Sequence, residues 1–139
     1  MPYLVGVGLA LAVCVFASWV GLDRDRAFYP TVTIVVASYY ALFAAMAGSG
    51  AALGSESAVI LLFVLAAVLG FKRSLWVVAG ALCAHGALDS IHGFVIANPG
   101  VPEWWPAFCG AYDITAGCYL GVLLARSPNA SRPSLEAAK

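Results

Sequence analysis

Charge is scarce in this sequence. Of its 139 residues, 10% are Asp, Glu, Lys or Arg and 63% are hydrophobic, where soluble domains carry about 25% charged residues. Too few polar side chains exist to cover a water-facing globule, so lipid is the expected solvent. Seven basic residues balance seven acidic ones, for a formal net charge of zero. No basic surface exists to meet phosphates, which excludes nucleic acid as a partner. No Lys or Arg precedes the first apolar run and no clear small-residue cleavage site follows it. That run therefore reads as a helix of the mature protein, not as a signal peptide. The four cysteines form no CxxC pair, and the H-E-x-x-H zinc-protease signature is missing.

What the sequence does have is five apolar runs: Tyr3 to Leu22, Phe28 to Ala47, Ser57 to Phe71, Leu75 to Ala97 and Trp104 to Ala125. A helix needs roughly 20 residues to cross the hydrocarbon core. Four runs reach that length. The third is short unless it starts near Leu53, which suggests a locally thin or protein-lined passage. The expectation is an all-α integral membrane protein, one bundle of five transmembrane helices over residues 1–126. The polar tail SPNASRPSLEAAK, residues 127–139, reads as a flexible cytoplasmic extension.

With five spans, every basic residue falls on one side: Arg24 and Arg26 after the first run, Lys72 and Arg73 after the third, Arg126, Arg132 and Lys139 after the fifth. The positive-inside rule then places the N-terminus outside and the C-terminus in the cytoplasm. Asp23, Arg24, Asp25 and Arg26 alternate in sign, which suggests local ion pairs or contact of the arginines with lipid headgroups. The outer connections are AGSGAALGSES and NPGVPEWWP. Trp104 and Trp105 read as an interfacial aromatic belt, or more sharply as a lid. Glu103 reads as a solvated acid.

Small residues recur along each span, including a Gly117–Gly121 GxxxG pair suited to close helix approach. Cys14, Cys83, Cys109 and Cys118 all lie within spans and read as small buried hydrophobes. Cys109 stands apart because it precedes Asp113 by one helical turn.

Against this background, HGALDSIHG on the fourth span is out of place. On a helix, Asp89 lies about 40° from His85 and His92 about 20° to the other side, so the three share one face. By helical rise, Asp89 lies roughly 12–14 Å below the outer end of its span and Asp113 roughly 12 Å below the start of the next. A short loop makes the two spans antiparallel neighbours, with Asp89 and Asp113 at matched depth. Glu56 follows Ser55 near the start of the third span, where a cap-and-dipole role is the plain reading. It could also stand above the polar site. Ser38, Tyr39 and Tyr40 approach from the second span.

An aspartate at a helix centre costs about 2.5–3.5 kcal/mol to insert, so these groups must be paired, metal-bound or hydrated. Three readings fit. The acids and histidines lock spans four and five together. Alternatively, His85, Asp89, His92 and Asp113 hold a divalent metal, zinc or iron, that polarises a carbonyl or activates water. In that case Glu56 and Asp113 are the candidate catalytic residues. Third, they form a proton or cation relay in a small oligomeric transporter, which suits histidine's titration near neutral pH.

The stretches DRDRAFYPTVTIVVASYYALFA and HGALDSIHGFVIANPGVPEWWPAFCGAYD resemble a family of small bacterial multi-span membrane proteins of unknown function, over most of residues 23 to 125. That resemblance implies a bacterial inner-membrane protein. A looser similarity runs to membrane-embedded zinc hydrolases of the alkaline ceramidase and adiponectin-receptor type, which also set His and Asp around a metal. This chain is shorter, has two histidines and lacks their seven-span plan, so their three-histidine site does not carry over. Together these readings favour a metal-dependent membrane hydrolase acting on a lipid or other apolar substrate, with membrane lipids and further copies of the chain in a homo-oligomer as its candidate partners.

Overall fold

The computed structural model describes residues 1–126, and the expected flexible tail 127–139 lies outside the described residues. The described residues form five α-helices: α1 (Pro2–Val20), α2 (Phe28–Met46), α3 (Gly50–Lys72), α4 (Leu75–Val95) and α5 (Trp105–Arg126), with a 3-10 turn at Leu22–Arg24. All five are long and apolar enough to cross a membrane. Their outward faces carry large apolar side chains, with Leu4, Trp19, Met46 and Phe94 each at least 74% exposed. Apolar surface on that scale is stable against hydrocarbon and unstable against water.

Helix ends follow local chemistry. Pro2 opens α1 where a missing N–H costs nothing. Gly21 ends it at φ 91°, a left-handed cap that favours glycine. Ser49 caps α3 by accepting from Ala52 N–H, and Ser74 caps α4 by accepting from Trp76 N–H. The Ser49 cap changes the expected boundary. The third span is not short: it runs 23 residues from Gly50. Glu56 is consequently two turns inside α3 and is not a cap residue.

The helices α1, α5, α4 and α3 pack as a row in that order. Helix α2 lies on α3 and leans onto α4, while α1 and α2 barely meet. Small residues set the spacing. The stripe Gly6, Ala10, Cys14 and Ala17 is the buried face of α1. A Cβ at Gly86 would stand 2.7 Å from the Gly110 carbonyl oxygen, and one at Gly117 would stand 2.7 Å from Cys83 Sγ. Within the chain, the close approach expected of the GxxxG pair is made at Gly117. A Cβ at Gly121 would make only ordinary contact, 3.6 Å from the Trp76 ring.

The described basic residues all lie at one end of the bundle, at the helix termini and connections there. Arg26 reaches across it, donating to the Gly70 and Phe71 carbonyls at 3.1–3.3 Å. These are carbonyls at the end of α3 that lack helical partners. The two acids of the 23–26 stretch, expected to form local ion pairs, also accept hydrogen bonds from outside it. Asp23 accepts from Ser18 and Asp25 accepts from Ala27 N–H.

Candidate metal centre

The α4 face expected from helical spacing is buried: His85, Asp89 and His92 are 1%, 3% and 4% exposed. Asp113 on α5 is fully buried. The two helices approach closely because Gly86 faces Gly110, and this contact sets their register. Gly110 stands opposite Asp89, where its Cβ would be 3.3 Å from the Asp89 Cβ. Asp113 consequently meets His85, one turn deeper than the matched-depth expectation. His85 Nδ1 donates to Asp113 Oδ2 at 2.6 Å. Asp89 Oδ2 is 3.8 Å from the same nitrogen, a charge contact beyond hydrogen-bond range.

Cys109 completes the group by donating its S–H to Asp113 Oδ2 at 3.6 Å. One ligand-type atom from each of His85, Asp89, Cys109 and Asp113 lies within 4.8 Å of the others, and all four residues are buried. Two carboxylates therefore share a buried site with one imidazole. Asp89 Oδ2 and Asp113 Oδ1 are buried without any hydrogen-bond partner. Unpaired buried acceptors are costly, and the pair calls for positive charge. The donor set of imidazole, thiol and carboxylate fits zinc or iron.

His92 goes elsewhere. Its Nε2 donates to Glu56 Oε1 at 2.9 Å, outside the four-residue group. Asn98, in the turn after α4, donates from Nδ2 to the same Glu56 oxygen and to the Tyr40 carbonyl, both at 2.9 Å. The expected constellation is thus two sites rather than one: a His85–Asp89–Cys109–Asp113 group and a Glu56–His92–Asn98 group. Tyr40 lies between them. Its hydroxyl donates to Asp89 Oδ1 at 2.6 Å, and its ring stacks on His92 with centroids 4.1 Å apart. The Phe63 ring meets His85 edge-on at 4.8 Å.

Of the three polar residues that α2 offers, only Tyr40 enters the site. Ser38 bonds back to the Ile34 carbonyl, and Tyr39 packs on Trp105 at 5.0 Å. The two tryptophans also divide. Trp104 is half exposed and meets Trp105 and Phe108, whereas Trp105 also packs against Tyr39 and Phe43. Glu103 is exposed as expected.

Three cavities border these groups. One of about 270 Å³ touches Asp89, Ser90 and Glu103. A second, of about 650 Å³, touches His92, Asn98 and Glu103 near the turn between α4 and α5. The largest, about 750 Å³, is an apolar groove along α1 and α2 that touches Cys109. The metal group can thus be approached from a polar side at Asp89 and from an apolar side at Cys109.

Tyr40 was legible only as one of three polar residues on α2, and Asn98 is the site residue that sequence reasoning missed. Asn98 stands in an Asn-Pro-Gly turn, a turn signal that hides the direction of its side chain. Comparison with family models, with curated proteins and with solved structures finds no match to this chain.

Proposed function

We propose that this chain is a metal-dependent membrane hydrolase acting on a lipid or other apolar substrate. The observation that carries this reading is the group of four ligand-type residues within 4.8 Å, together with its two unpartnered carboxylate oxygens. His85, Asp89, Cys109 and Asp113 would hold zinc or iron. A catalytic zinc takes three protein ligands and keeps a position open, so four available donors suffice. The ion would supply Lewis acidity to an ester or amide carbonyl.

Glu56 and His92 are the proton-handling pair in this reading, with Glu56 as general base. Their hydrogen bond already positions a carboxylate on an imidazole. Tyr40 holds Asp89 in place, and Asn98 holds Glu56. The basic end of the bundle would face the cytoplasm. A bacterial inner-membrane location is part of this proposal, and five helices long and apolar enough to cross a membrane support its membrane half.

A second reading rests on the succession Glu56–His92, Tyr40–Asp89 and His85–Asp113. These groups step from the turn after α4 into the bundle and suit a proton relay in a small oligomeric transporter.

Elemental analysis of purified protein separates the two. About one equivalent of zinc or iron per chain is expected, lost in Asp113→Asn and in Cys109→Ser and kept in His92→Gln. Metal-free wild-type protein that conducts protons in liposomes would remove the hydrolase and leave the relay.

A further inference from the structure

We propose that the groove between α1 and α2 binds one acyl chain of a glycerophospholipid whose head group is a zwitterionic aminoalkyl phosphate. The groove exists because α1 and α2 barely meet, which leaves part of α5 uncovered between them. Its walls are apolar, built from Leu9, Val13, Val32, Val35, Phe108 and Tyr112. Its volume, about 750 Å³, falls within the about 300–1,000 Å³ of small-molecule sites.

Length points to a lipid chain. The groove follows α2 from Phe28 to Tyr39, about 16 Å by helical rise, close to half of a hydrocarbon core of about 30 Å. It therefore spans the depth of one leaflet, opens towards the bilayer and passes Cys109.

Charge at the mouth points to the head group. The end of the groove at the basic side is lined by Gly21, Leu22 and Asp25. The Arg24 side chain lies over Gly21, where a Cβ would stand 3.4 Å from Arg24 Nε. Arg26 is committed to the carbonyls at the end of α3, and Asp23 to Ser18. The Arg24 backbone N–H donates to the Gly21 carbonyl, which leaves its guanidinium over Gly21 without a hydrogen bond or ion pair among the described residues. Asp25 accepts from the Ala27 N–H with Oδ1 and lines the groove. One unpartnered guanidinium beside one carboxylate matches a phosphate joined to a primary ammonium. A trimethylated ammonium would lack the N–H that Asp25 can accept.

Photo-crosslinking tests this site with phosphatidylethanolamine carrying a diazirine at the end of one acyl chain, in micelles containing the full chain. Labelling is expected on α5 at Phe108, Cys109 or Tyr112. Val35→Trp fills the groove from a residue that is 47% exposed, so the core is left intact, and labelling should be lost. Arg24→Gln should lower labelling about five-fold, the equivalent of about 1 kcal/mol for one basic residue near a membrane surface. Asp25→Asn should abolish the preference over an otherwise identical phosphatidylcholine probe. Labelling spread over all helices, unchanged in Val35→Trp, or equal for the two head groups would overturn the proposal. Metal content measured in the same samples keeps this result separate from the hydrolase reading: site-specific labelling of metal-free protein would support the lipid site while removing the enzyme.

Discussion

Two aspartates inside a lipid-facing bundle, with the described lysines and arginines confined to one of its ends, set the problem at the scale of single residues. His85 serves Asp113 directly, and Tyr40 serves Asp89. Each acid still keeps one oxygen buried and unpaired. Removing one member of a buried charged pair costs about 3–5 kcal/mol, because the other is left uncompensated. His85→Ala should therefore destabilise the bundle by about that amount in reversible unfolding from mixed micelles. Replacing both residues, as His85→Leu with Asp113→Leu, should recover most of the loss and bind no metal. Failure to recover would mean that the pair does more than neutralise itself. Chelation should lower the stability of wild-type protein and leave Asp113→Asn unaffected, because a ligand stabilises only the state that binds it.

At the scale of helices, glycine decides where polar residues meet. The Gly86–Gly110 contact sets the α4–α5 register that brings Asp113 to His85. The same interface continues at Gly117, which lies against Cys83 and the Ala79 carbonyl. Gly117→Val should destabilise the protein by about 1–3 kcal/mol through overpacking, and Gly121→Ala should be close to neutral. Thermal unfolding of the two variants side by side measures the difference. Equal effects would mean that the close contact at Gly117 does not hold the pair together. The Ser49 cap acts at the same scale, since starting α3 at Gly50 carries Glu56 inside to His92.

For the whole molecule, the sorting of charge makes a prediction about sidedness. If the positive-inside rule orients this bundle, the turn carrying Glu103 faces the outside and the turn carrying Arg24 faces the cytoplasm. Glu103→Cys in intact cells should react with a membrane-impermeant maleimide. Arg24→Cys should react only after permeabilisation. The opposite pattern would invert the bundle and place the polar cavities beside Asp89 and His92 on the cytoplasmic side.

Five helices, their approximate ends and the polar face of α4 were legible in the sequence, because hydropathy, helical period and charge sorting are local properties. The 100° step per residue alone places His85, Asp89 and His92 on one face. The partners of that face were not legible in the same way. Spacing along α4 treats His85 and His92 alike, yet one meets Asp113 and the other Glu56. That division depends on the register set by Gly86 and Gly110, on the serine cap that lengthens α3, and on the placement of Tyr40 between the two histidines. Each of these is a contact between helices. The sequence by itself determined that polar groups would be buried in an apolar bundle. Only the tertiary structure, through backbone approach at small residues, decided which acid each histidine holds and which four side chains converge.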